Sequence, residues 1–466
     1  MQKPESRPSR LPLLLMVAGG VILVLAGIWA FTGRDSGGGG EEAEDAEAVR
    51  CAFPSCRAAA TQALARGFEG QSVAVNPRDP DHIVVTDANM TTAHCTWHVT
   101  FNRGKDWTDG VFEVPAGYTG CHINGGSGGH VPTGPGGVAF GPSGAVYATF
   151  GSALFEDGPR ESILLGTSTD GGKSFRMSVV ARPFEDEVGY ARPQMSVAPG
   201  PGGADRVLVS FWRCRQRLFC DQALFSRSDD NGVTFVPPVT INDAPAGQTP
   251  SEPLQGPDGT VFITFIRRYT DGPADLVLAR SSDSGATFGY TLIDRQIAIG
   301  DQYDQAKLAL DPRRGAMYVT YTDARIGRQQ VFFRTSTDNG ATWSEAIGIS
   351  ADQAASGASR SPTISVAPNG RIDIAFYRSL QADSDDVFWA HSIDGGRRFV
   401  PRQVNEGTIR RFQYAAAIGN WYPPDVTSAD DAAIVVWSDT KNTDQISNTQ
   451  DVFLRRMVLT GPDAPP

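Results

Sequence analysis

The chain has 466 residues, including 51 glycines and 31 prolines, with a formal net charge of −11 and a pI near 5.1. An acidic total argues against nucleic acid as the main partner and gives no support to adhesion on an anionic membrane surface. Glycine and proline fall between short apolar runs, which favours an all-β, turn-rich chain, and the length is ample for one large core.

Residues 1–10 are polar and carry Lys3, Arg7 and Arg10. Leu11 to Phe31 follow as 21 consecutive uncharged residues. As a helix this run spans ~30 Å, the thickness of a bilayer core. The basic flank precedes it, so the N-terminus is expected in the cytoplasm and everything downstream outside it. A cleaved secretory signal is the alternative. Ile28-Trp29-Ala30 is a poor small-x-small cleavage site and the run is long for a signal, which favours an uncleaved signal anchor. Residues 32–50 read as a tether, flexible at Gly37 to Gly40 and kept extended by Glu41, Glu42, Glu44, Asp45 and Glu47.

Six cysteines suit an exported chain. Paired by sequence proximity they are Cys51 with Cys56, Cys95 with Cys121 and Cys214 with Cys220, one of several possible connectivities. The lead-in 51–68 is expected to hold a short helix, from the run of Ala58, Ala59, Ala60, Ala63, Leu64 and Ala65.

From residue 69 to 460 short apolar strands recur, before a tail at 461–466. Openings such as Ser72-Val-Ala-Val-Asn-Pro77, Lys307-Leu-Ala-Leu-Asp-Pro312 and Thr363-Ile-Ser-Val-Ala-Pro368 each end in a turn. A second apolar strand follows each, for example Val261 to Ile266 and Ala433 to Trp437. A third strand then runs into an octapeptide of the form Ser-x-Asp-x-Gly-x-Thr/Ser-aromatic. Its best copy is Ser336 to Trp343, with others at Ser168, Ser228, Ser281 and Ser392, the last carrying Arg398 in place of Thr, and a worn copy at Thr100 to Trp107. The Asp accepts local N–H groups, the Gly takes positive φ, and the aromatic starts the next strand, so each copy is a hairpin turn. The Asp/Asn positions 102, 170, 230, 283, 338 and 394 are separated by 68, 60, 53, 55 and 56 residues. A near-regular period with several short strands per unit signals a β-propeller. Seven blades are expected, with six the alternative, as one all-β domain behind a transmembrane helix and flexible linker.

These octapeptides resemble the Asp-boxes of the sialidase (neuraminidase) superfamily over roughly residues 69–458. The resemblance implies that loops entering first strands and leaving second strands share one face around a central pore. Glu252, Arg192, Tyr303, Asp304, Arg360 and Tyr422 enter first strands; Asp87 and Arg378 follow second strands. By the sialidase pattern Tyr422 would be the nucleophile, Glu252 its partner, and Asp87 the acid/base. Arg192, Arg360 and Arg378 would clamp a ligand carboxylate, with Tyr303 and Asp304 beside them. The Arg-Ile-Pro sequence that opens sialidase domains does not occur.

Five of the six histidines lie between 82 and 130, and His94-Cys95-x-x-His98 could hold zinc, but an exported chain favours a Cys95–Cys121 disulfide. No metal or other cofactor is expected. The favoured function is a membrane-anchored, extracytoplasmic propeller that binds a surface glycan or protein ligand at its pore. A sialidase-type exo-glycosidase and an assembly scaffold are the alternatives.

Overall fold

The computed structural model describes residues 49–459 apart from 51–55, 59–61, 67, 90–93, 122–134, 155–159, 184–187, 216–218, 244–249, 270–271, 299–304, 351–356, 380, 382–383, 411–422 and 440–450. The expected membrane span, most of the tether, Cys51, Tyr303, Asp304 and Tyr422 lie outside the described residues. Among those described, no helix is long and apolar enough to cross a membrane.

The described strands form seven antiparallel sheets, the blades of one propeller. Blades 1 to 6 occupy residues 68–111, 118–181, 188–240, 254–297, 307–348 and 358–410, and blade 7 is built on 425–459. Their inner strands are Phe68–Asn76, Pro135–Phe140, Val188–Pro199, Leu254–Gln255, Lys307–Asp311, Ala358–Val366 and Asp425–Ser428. Side chains alternate across a strand, so a blade stacked between two neighbours needs apolar residues on both faces. In Val261–Arg267, Phe262 faces blade 5 with Leu278, Leu308 and Tyr321, while Ile263 and Phe265 face blade 3 with Leu208 and Phe225. Each of the other five blade interfaces holds a buried cluster of the same kind, the largest between blades 6 and 7 around Trp389, Trp437 and Tyr377.

The octapeptides sit between third and fourth strands of blades 1 to 6. In blade 5 the Ser336 hydroxyl donates to Asp338 Oδ1 at 2.8 Å and accepts the Gly340 N–H at 2.9 Å. Asp338 accepts the Thr342 hydroxyl at 2.5 Å and its N–H at 2.9 Å. The Thr342 hydroxyl and N–H, with Ser336, pull the Asp338 carboxyl down to about 2. Asn339 and Gly340 have φ of 57° and 80°, and a Cβ on Gly340 would lie 2.2 Å from Leu278 of blade 4, so the turn also locks neighbouring blades. The worn copy keeps the geometry with its polarity reversed. Asn102 Oδ1 accepts the Thr100 hydroxyl at 2.9 Å and the Asp106 N–H at 3.0 Å, while the Asn102 amide donates to Asp106 Oδ2 at 2.8 Å. Where the copies at Ser168, Ser228, Ser281 and Ser336 have an acceptor at the third position and a hydroxyl donor at the seventh, this one exchanges the side-chain roles, and the copy at Ser392 has Arg398 at the seventh.

The expected helix in the lead-in is not formed. Cys56–Ala58 and Gln62–Arg66 are strands paired antiparallel with Asp451–Leu459, with Ala58 opposite Met457 and Gln62 opposite Leu454. Among the described residues blade 7 has three strands of its own, ending at Leu459, and an open edge leaves N–H and C=O groups unpaired. Pairing at that edge overrides the helix propensity of the alanines. A second seam closes the ring inside: Asp425 Oδ2 accepts the Ser72 hydroxyl at 2.9 Å and the Val73 N–H at 3.0 Å, and Pro423 O accepts the Gln71 amide at 2.9 Å.

Candidate functional site

The inner strands bring one polar constellation together. Lys307, the first residue of its strand in blade 5, donates to Gln194 Oε1 of blade 3 at 2.6 Å and to Glu252 Oε1, just ahead of the blade 4 strand, at 2.8 Å. Blades 3 and 5 flank blade 4, so this contact runs past the inner edge of blade 4 and ties three consecutive blades together. Lys307 is only 4% exposed, and Glu252 keeps 31% of its side chain in solvent. Asp425 of blade 7 lies within electrostatic reach of both. Burial pushes the Asp425 carboxyl above the ordinary carboxylate range against the Val73 N–H, with the Glu252 charge adding to the push and Lys307 and Ser72 opposing it.

The approach to this neck is shaped by bulges. In blades 1, 3 and 6 the inner strand shifts register at Gly70, Arg192 and Ser361, which have φ of 71°, 53° and 54°. Glycine takes this conformation freely, whereas Arg192 and Ser361 hold it at a cost of about 1–2 kcal/mol each. Such bulges re-aim side chains beside functional sites.

The residues singled out from sequence have separate surroundings. Asp87 is fully buried inside blade 1, where it accepts the Thr96 hydroxyl and faces His98 Nε2 at 3.0 Å. His98 Nδ1 meets Asp109 Oδ1 at 2.6 Å, so the ring is held between two carboxylates. Burial disfavours the His98 imidazolium, but Asp87 and Asp109 outweigh it and push its pKa up to about 10. Arg360 pairs with the buried Asp385 at 2.7 Å and lies 5.3 Å over the Tyr377 ring, on the side of blade 6 facing blade 7. Arg378 follows Tyr377 on the same strand and therefore points to the opposite face, 5.3 Å over the Phe388 ring, toward blade 5. Of the described set, Glu252 is the one with a described contact to Lys307. The described contacts do not join Arg192, Arg360 and Arg378 into one clamp.

Sequence reasoning missed Gln194, Lys307 and Asp425. The usable signal was Lys307, a lone cation opening the apolar strand Lys307-Leu-Ala-Leu, where alternation buries every other residue. Cys214 and Cys220 form the expected disulfide, between directly paired strand positions. Cys95 is also disulfide-bonded, which removes it as a zinc thiolate. Among the described residues no His, Cys, Asp and Glu side chains cluster as a metal site.

With this geometry the chain is a seven-bladed Asp-box propeller of sialidase-like fold. An ulvan lyase of polysaccharide lyase family PL25, bound to -[GlcA(1-4)Rha3S]-, matches with a TM-score of 0.51 at 12% identity, over 85% of this chain and 94% of that one. The Hadza microbial sialidase Hz136 matches at 0.47 and 16% identity, over 80% and 73% of the two chains. The NanB sialidase from Streptococcus pneumoniae matches at 0.45 and 9%, over 81% and 83%. At these identities the likeness concerns the fold and not the chemistry. No protein-family model and no curated protein matches the chain.

Proposed function

We propose that this protein is a membrane-anchored, extracytoplasmic propeller that binds a surface glycan at the mouth of its central channel. The observation that carries the reading is the Gln194–Lys307–Glu252 contact joining the inner strands of three blades. A buried ammonium, an amide and a part-exposed carboxylate converging from three blades form a fixed set of donors and acceptors, which suits a ligand rich in hydroxyl groups. The bulged strands around it supply the preorganisation that binding a flexible sugar requires. Against a hydrolase of the sialidase pattern stands the burial of Asp87 beside His98, which leaves it no exposed oxygen to serve a leaving group.

The test is a glycan array probed with the full-length protein, alongside turnover of a fluorogenic sialoside. Expected are binding without turnover and a loss on the order of 10-fold on Lys307→Met, as for removal of a charged hydrogen-bond donor. Variant folding is checked by its melting curve. Turnover abolished by Tyr422→Phe would instead establish the hydrolase.

A further inference from the structure

We infer that the glycan taken at this channel mouth is a neutral oligosaccharide, and that acidic sugars are excluded because carboxylates of the protein already neutralise the cations on this face. The inference rests on the glycan-binding reading above. A site for sialate or uronate needs a guanidinium or ammonium that can turn to the ligand carboxylate. Here Lys307 is buried and holds Gln194 and Glu252, with Asp425 nearby, so the neck carries two carboxylates against one ammonium.

The same holds on the rim. Arg267 pairs both oxygens of Asp243, through Nε at 3.0 Å to Oδ1 and Nη2 to Oδ2. Arg325 reaches Asp294 Oδ2 at 2.8 Å and Asp323 Oδ2 at 2.5 Å. Arg360 holds Asp385, and its remaining Nη1 is sealed from solvent. Arg192, Arg213 and Arg268 each make a contact within the protein, and Arg378 lies over the Phe388 ring with Arg328 and Asp386 nearby. An entering carboxylate would have to displace a protein carboxylate from its cation, leaving the displaced charge unpaired and partly desolvated. A neutral sugar faces no such exchange. Its hydroxyls can donate to Glu252, which keeps 31% of its side chain in solvent, while its C–H faces can lie on an exposed ring. Tyr269 offers one on the blade 4 rim: it is 50% exposed, and its hydroxyl is fixed by donation to Asp275 Oδ2 at 2.8 Å.

Matched ligand pairs test this by calorimetric titration into the full-length protein at low and high salt: lactose against 3′-sialyllactose, and methyl-esterified against free oligogalacturonate. At least one pair is expected to bind, its neutral member on the order of 10-fold tighter and with little salt dependence. Glu252→Gln, which uncovers Lys307, and independently Asp243→Asn, which uncovers Arg267, are expected to narrow that preference by raising affinity for the acidic member. The second variant guards against misfolding of the first. Tighter binding of the acidic members by wild-type protein, weakening with salt, would overturn the inference and leave the glycan reading intact. So would an unchanged preference in both folded variants. No binding to either member of either pair would count against the glycan reading itself, and the inference would fall with it.

Discussion

The histidine inside blade 1 gives the sharpest handle on stability. His98 is 4% exposed and lies between Asp87 at 3.0 Å and Asp109 at 2.6 Å. Its folded pKa of about 10 stands against an ordinary 6.5. At ~1.36 kcal/mol per unit this sets a ceiling of about 5 kcal/mol. Asp109 keeps 61% of its side chain in water, where screening weakens its share, so about 2–3 kcal/mol is a fair expectation. Because the folded pKa is raised, the contribution is complete below pH 6.5 and is lost as pH rises through 10. For a domain of about 400 residues, unfolding entropy of ~2.1 cal/mol/K per residue converts this to roughly 3 °C. The assay is melting of wild type and His98→Gln from pH 6 to 10 in small steps, read as a difference so that other titrations cancel. The gap should be widest near pH 6 and shrink toward pH 10. A gap that stays constant across this range would refute the charged sandwich.

Other substitutions probe the turns. Asn102→Asp sets a carboxylate against Asp106 and should destabilise by about 1 kcal/mol, while adding Asp106→Ser restores the usual donor and most of the stability; urea unfolding of both variants checks the coupling. Gly340→Ala combines a left-handed alanine, about 1–2 kcal/mol, with overpacking against Leu278, about 1–3 kcal/mol, and its urea midpoint should fall accordingly. Breaking the outer seam with Ala63→Pro should cost about 3 kcal/mol or more through strand pairing with 451–459, read as increased proteolysis near the N-terminus, whereas a helical lead-in that packs on nothing would leave the folded ring unaffected.

Most of the fold was legible because its signals are local. Each octapeptide carries its own donors, acceptors and positive-φ positions, and six copies mark the period without reference to anything distant. The reversed copy at Asn102 was readable as worn, but its swapped partner at Asp106 became intelligible only from the hydrogen bonds. The lead-in failed for the opposite reason: Ala58, Ala63 and Ala65 favour a helix locally, and the partner that makes them strands lies almost 400 residues away. The site was only partly legible. Glu252 could be placed by its position ahead of an inner strand, but Gln194 and Lys307 are joined only by closure of the ring, which periodicity does not register. Arg360 and Arg378 both fall near the expected face by position, yet opposite strand parity sends them to different blade interfaces.

The most direct measurement is an experimental structure of the protein soaked with a neutral oligosaccharide from the array. Sugar density within hydrogen-bonding distance of Glu252 and Gln194, above an intact Lys307–Glu252 pair, is the expected result. Density confined to the octapeptide face, or a Lys307 side chain swung away from Glu252 to hold a carboxylate, would contradict it.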